Sequence, residues 1–128
     1  MDATKVFIDV LMEAGRIELV EIPLEVTDAL FCLPEYSDDY FSRTAACELV
    51  SMELLVASHI RNEGVINANK LMRMAAQNKT PKRMPVRIRR LGSKFLVLDG
   101  NSTFVNARFS NWRSLLCEIV YHHRKVGS

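Results

Sequence analysis

The stretch Lys94-Phe95-Leu96-Val97-Leu98-Asp99-Gly100-Asn101-Ser102-Thr103-Phe104-Val105-Asn106 decides how this chain is read. Phe95 to Leu98 is an unbroken apolar run, the pattern of a buried strand. Asp99-Gly100 breaks it, and the cap-type residues Asn101, Ser102 and Thr103 predict a helix over Ser102–Phe109 carrying Val105 and Phe109. Strand, tight glycine turn and helix N-terminus together aim free backbone N–H groups and a positive dipole end at one spot. That arrangement suits a phosphate, which makes Gly100, Asn101, Ser102 and Thr103 the candidate nucleotide- or phosphate-binding residues. The same pattern also closes ordinary strand-to-helix turns, so the rest of the chain has to supply further reasons for a ligand.

Upstream, Val86 to Arg90 alternates strictly, with Val86 and Ile88 facing one way and Arg87 and Arg89 the other. Leu91-Gly92-Ser93-Lys94 reads as a hairpin-like turn into Phe95–Leu98. Downstream, Leu115–Tyr121 is an apolar strand interrupted by Glu118. Ala68 to Gln77 predicts a helix with Ala68, Leu71, Met72, Ala75 and Ala76 inward and Lys70 and Arg73 outward, before Pro81 and Pro85 break the chain. Thr44 to Asn62 reads as the clearest helix: Ala45, Leu49, Met52, Val56 and Ile60 form one stripe, and Cys47, Val50, Leu54 and Ala57 a second. Gly64 is its expected stop. Nearer the start, Asp2 or Thr4 is placed to cap a helix with Val6, Phe7, Val10, Leu11 and Ala14 on one face, closed by Gly15; a strand over Val6–Leu11 is the competing reading. Arg16–Ile22 suits a short strand ending at Pro23. Leu24 to Asp39 is a turn-containing connection, and His122 to Ser128 a polar, frayed tail. The sum is an α+β fold, a small mixed β-sheet packed against helices.

With 128 residues, 48% apolar and 25% charged, the chain has the length and composition of one globular domain, 1–128. No apolar run approaches the roughly 18 residues that span a bilayer, so no membrane partner is expected. Met1-Asp2-Ala3-Thr4 lacks a basic n-region, and Cys32, Cys47 and Cys117 form neither a paired framework nor a metal-ligand spacing. A cytoplasmic setting without a metal site is the expectation. The net charge of +2 hides a split. Residues 1–63 hold 13 acidic and 4 basic residues, net −9, and residues 64–128 hold 2 acidic and 13 basic residues, net +11. A field of that size steers anions toward one side, unless the acidic half folds back over the basic half and cancels it.

The basic residues Lys79, Lys82, Arg83, Arg87, Arg89 and Arg90 are the candidate nucleic-acid contacts, with sequence-independent, salt-dependent phosphate binding as their mode. Phe95, Phe104, Phe109 and Trp112 read as core, which argues against base stacking. For catalysis the chain offers His59, more naturally a packed or surface residue, and His122-His123, which in a strand point to opposite faces. Asp99 is the remaining catalytic candidate, as metal ligand or general base, against the plainer role of satisfying turn N–H groups. Whether the chain is an enzyme stays open at this point. Glu35, Tyr36, Asp38, Asp39 and Tyr40 offer a protein-binding face in the acidic half, or simply a solvated loop.

The order helix, Pro85-Val86-Arg87-Ile88, short turn, Phe95-Leu96-Val97-Leu98-Asp99-Gly100-Asn101, helix and final apolar strand resembles the ParB/sulfiredoxin-like superfamily. The likeness covers Val65 to Tyr121, with a weaker echo at Glu18–Leu24, and leaves residues 1–63 as an acidic, helical N-terminal part. Members carry an acidic-Gly-(His/Asn/Cys)-His-Arg turn that, with the helix after it, binds nucleotide or phosphate. Here Ser102 and Thr103 stand where His and Arg would, losing the guanidinium fork and its charge. Asn101 stands at the catalytic cysteine of sulfiredoxin, which excludes sulfinic-acid reduction, and no residues remain for the ParB DNA-reading domain. The resemblance implies a phosphate-, nucleotide- or nucleic-acid-binding module lacking the His-Arg pair; the cofactor stays open, a nucleotide being the candidate and Mg²⁺ only where a nucleotide is bound. The alternative is a small regulatory or adaptor protein that binds another protein.

Overall fold

The computed structural model describes residues 5–121. Its elements are β1 (Phe7–Leu11), β2 (Ile17–Glu21), α1 (Leu24–Thr27), α2 (Ser37–Tyr40), β3 (Cys47–Ser51), a 3-10 turn at Met52–Leu54, β4 (Leu55–Val56), α3 (Asn62–Ala76), β5 (Val86–Leu91), β6 (Lys94–Asp99), α4 (Asn101–Phe109) and β7 (Ser114–Ile119). Five strands make a mixed sheet in the order β3-β7-β5-β6-β4, and β1–β2 form a hairpin of their own. A parallel bridge between Val10 and Ala57 attaches that hairpin beyond β4. The chain is α+β, as its residue pattern indicated.

The second half follows its sequence closely. β5 and β6 pair antiparallel around Gly92-Ser93, where Gly92 takes φ +60. Val86 and Ile88 are buried and Arg87 is exposed, as their alternation requires. The chain leaves β6 through Gly100, crosses as α4, and returns as β7 parallel to β5. α4 lies against β5 and β6, and α3 packs on α4. Ile88, Val97, Phe104, Val105, Leu115 and Leu116 belong to one buried apolar cluster. A register irregularity between Arg87 and Ile88 sets Arg87 opposite Asp99 at the end of the ladder.

The first half corrects three expectations. The helix over Thr44–Asn62 does not form: that segment is β3, the 3-10 turn and β4, paired to β7 and β6. Its two apolar stripes amount to a nearly continuous apolar run, and such a run does not distinguish helix from strand by periodicity. Val50 is buried while its neighbour Leu49 is 53% exposed, so the two point to opposite faces as neighbours on a strand do. Gly64 stops nothing; it lies in the first turn of α3, where an added Cβ would sit 2.9 Å from Ser102 Oγ. The residue pattern at Val6–Leu11 resolves as β1, with Gly15 at φ +84 in the hairpin turn. Asp2 and Thr4, the proposed caps, lie outside the described residues. Among the described residues, those before α3 hold only short helical turns, so the N-terminal part is built of strands rather than helices.

Two buried acids tie stability to alkaline pH. Burial, with a smaller push from Glu48, raises the Cys117 thiol from its ordinary 9.0 to about 12. Burial, and then Asp39, raises the Tyr40 phenol from 10.0 to about 12. Both folded values lie above the unfolded ones, so the unfolded chain releases these protons first as pH rises. Stability is therefore expected to be undiminished by these groups below pH 9 and to fall between pH 9 and 12. Urea midpoints across that range check it. A midpoint that stays level to pH 12 would contradict it.

Candidate functional site

Gly100 sets the geometry of the turn. It adopts φ +103, and a Cβ there would lie 2.9 Å from Val86 Cγ2, so both backbone and space call for glycine. Gly100→Ala is expected to cost about 2 kcal/mol, from left-handed strain plus displacement of the buried Val86. Thermal unfolding of the variant measures this, and an unchanged melting temperature would contradict it.

The first turn of α4 distributes its candidate residues unequally. Phe104 N–H bonds Gly100 O, so the N–H groups of Asn101, Ser102 and Thr103 have no acceptor within the helix. The Asn101 side chain, expected to contact a ligand, is buried and spent within the fold. Its Oδ1 accepts Ser58 N–H at 2.9 Å and its Nδ2 donates to Ser58 Oγ at 2.9 Å. A side-chain amide can pair both ends with one residue, which fastens the start of α4 to the chain leaving β4. Thr103 is also buried, and its hydroxyl accepts from Arg83 Nε at 3.2 Å. Ser102 stays half-exposed beside Gly100.

Arg83 is the charge at this turn. Its backbone is pinned on both sides, with its N–H donating to Tyr40 O at 2.7 Å and its carbonyl accepting from Ser42 N–H at 2.8 Å. Burial lowers the pKa of its guanidinium, and the nearby Asp99 carboxylate pulls the other way. No carboxylate among the described residues forms an ion pair with it. Nε is taken by Thr103, and the side chain lines two cavities that meet at Asp99-Gly100. One, of about 390 Å³, has Leu71, Pro81, Met84 and Pro85 in its walls. The other, of about 210 Å³, is bordered by His59, Arg61, Leu98 and Ser102.

The six basic candidates do not form one patch. Lys82 is committed: its Nζ donates to Asp39 O and to Ala75 O near the end of α3, both at 2.6 Å. Lys79 is exposed just beyond α3. Arg87 stands opposite Asp99, whereas Arg89 donates to Arg90 O and Arg90 lies over the Phe95 ring at 5.3 Å. Arg89 and Arg90 border a separate cavity of about 110 Å³ with Ile119, Val120 and Tyr121. Arg83, named for nucleic acid, is the member of that set that reaches the β6–α4 turn through a side-chain hydrogen bond. Arg61 carries no signal in the sequence, an isolated arginine in a segment whose pattern predicts a helix.

Asp99 is exposed at the rim of both cavities, opposite Arg87. Exposed His59 meets Ser58 Oγ through Nδ1 at 3.3 Å. Among the described residues, no three His, Cys, Asp or Glu side chains converge as metal ligands. His122 and His123 lie outside the described residues. In the acidic connection, Glu35 accepts from Arg113 N–H and Ser114 Oγ, Asp38 pairs with Arg43 at 2.7 Å, and Tyr40 is buried with its hydroxyl on Pro34 O. That segment is fastened to the fold, and Tyr40 is no part of an exposed face. No helix among the described residues is long and apolar enough to cross a membrane.

The chain matches no protein-family model, no curated protein and no solved structure.

Proposed function

We propose that this protein is a phosphate-binding module of the ParB/sulfiredoxin-like type that takes a nucleotide at the β6–α4 turn. The observation that carries the reading is Arg83: a part-buried guanidinium hydrogen-bonded to Thr103 in the first turn of α4, without an ion-pair partner among the described residues. Desolvating an arginine is unfavourable unless something anionic repays it, and a phosphate presented to the free N–H groups of α4 does so.

Position 103 is where the superfamily turn carries its arginine. Thr103 accepts from Arg83 instead, so the positive fork missing from the helix is delivered to the same place from the segment before β5. Ser102 and the backbone N–H groups of Ser102 and Thr103 take phosphate oxygens, and Asn101 holds the turn rather than the ligand. The larger cavity, walled by Leu71, Pro81, Met84 and Pro85, suits the apolar faces of a nucleoside. Any Mg²⁺ arrives with the nucleotide's phosphates, Asp99 being the carboxylate placed to meet it. Extended nucleic acid ranks second, because Lys82 is tied down and Arg89 and Arg90 sit apart from the turn.

Titration of ATP, CTP and inorganic phosphate is expected to shift the amide resonances of Gly100 to Thr103 and the Arg83 Nε–H. Arg89→Ala with Arg90→Ala is expected to leave those shifts in place. Absence of any shift at millimolar ligand would remove the reading. Loss of binding in the double variant would move the contact surface to the far end of β5.

A further inference from the structure

Strand β2 is an open sheet edge. Met12 N–H donates to Arg16 O at 2.8 Å and Ile22 N–H to Val6 O at 2.8 Å, which makes the even-numbered positions of the hairpin its hydrogen-bonded pairs. The odd-numbered positions of β1 face the other way and are used: Asp9 O accepts from Ala57 N–H and Leu11 N–H donates to Ala57 O. By the same alternation, the main-chain groups of Ile17, Leu19 and Glu21 point away from β1. Among the described residues, no strand pairs with that side. The edge carries no proline, no lysine and no bulge.

The exposed face next to this edge is apolar and rimmed by acids. Leu19 is 62% exposed and Ile17 42%, with Phe7 on the facing strand at 40%. Every charged side chain within the paired ladder is acidic: Asp9, Glu18 and Glu21. Arg16, in the turn, is paired with Glu18 at 3.5 Å, and Glu13 adds another carboxylate there. Two copies of such an edge would bring acidic rims together. A strand with the opposite charge and alternating apolar residues would lay its apolar side chains beside Leu19 and Ile17 and its cations on the opposite face, beside Glu18, within the negative field to which Glu21 and Asp9 add.

We propose that β2 is a docking edge for an extended segment of another protein that alternates apolar and basic residues, added to the sheet as a further strand. It lies on the hairpin, away from the phosphate turn, and stands whether or not that turn binds a nucleotide.

The probe is a short end-blocked peptide of alternating valine and lysine, with a valine–glutamate peptide as its counterpart. The lysine peptide is expected to slow amide exchange at Ile17, Leu19 and Glu21, and the glutamate peptide to leave it unchanged. Leu19→Pro removes an outward N–H that β1 does not use, so the hairpin survives, as continued protection of Ile22 N–H will show. That variant is expected to weaken the lysine peptide by about tenfold or more, since main-chain bonds carry strand addition. Leu19→Ala, which keeps the N–H, is expected to weaken it less. Protection elsewhere than β2, equal binding of the two peptides, or full binding by a folded Leu19→Pro chain would each overturn the proposal. Slowed exchange at β2 on raising protein concentration alone would assign the edge to a second copy and overturn it equally.

Discussion

Asn106→Ala is expected to lower stability by about 3 kcal/mol, combining an orphaned buried N–H with the lost bonds and the cavity left behind. Asn106 is fully buried in α4. Its Nδ2 donates to Val65 O and to Ser102 O, both at 2.9 Å, and its Oδ1 accepts from Asn69 Nδ2 at 2.8 Å. Asn69, in α3, also donates to Phe31 O at 2.9 Å and accepts from Phe31 N–H at 3.2 Å. Two asparagines thus join α3, α4 and the chain after α1 through a polar seam inside an apolar core. Truncating either strands its partner, so Asn69→Ala and the double variant are expected to be strongly non-additive, the double costing less than the sum. Urea unfolding of the three variants measures this. Additive costs, or a loss in Asn106→Ala below about 1 kcal/mol, the net worth of one ordinary hydrogen bond, would show the seam to be dispensable.

That seam also marks the reach of the sequence. β5, β6, α4 and β7 were legible because each uses a local signal: strict alternation at Val86–Arg90, a glycine turn at Gly92, a second turn at Gly100, an apolar run at Leu115. Cys47–Val56 was not legible, because Leu, Met and Glu there have helical propensity while the partners that make it a strand, Ser114–Glu118 and Phe95–Leu96, are remote in the chain. α3 was found only from Ala68 onward, since Gly64 reads as a stop unless its contact with Ser102 is known. The site divides in the same way. The turn at Asp99-Gly100 was visible as a turn. That Asn101 would spend its amide on Ser58, or that Arg83 rather than Arg87 or Arg89 would meet Thr103, depends on contacts between distant segments. An alternating strand tells which arginines share a face, not which one ends beside a helix start.

Arg83 makes the sharpest separation between binding and stability. Arg83→Met is expected to weaken nucleotide binding by about a hundredfold, roughly 3 kcal/mol, the scale for removing one member of a desolvated charge pair. The same change should leave thermal stability level or raise it. The guanidinium meets the hydroxyl of Thr103 and no carboxylate within ion-pair distance among the described residues, and its partial burial is what lowers its pKa. An apolar side chain of similar length fills the space without that desolvation. Arg83→Lys keeps the charge but not the planar fork, and is expected to fall between the two in affinity. Arg90→Ala, whose guanidinium lies over Phe95, is expected to bind as the unaltered chain does. Calorimetric titration of the nucleotide, read beside melting temperatures of the same variants, distinguishes the outcomes. A residue held for structure would lose both quantities together, and a solvated surface arginine would change neither. Only a group kept in an unfavourable place for its ligand loses the ligand while the fold stays whole.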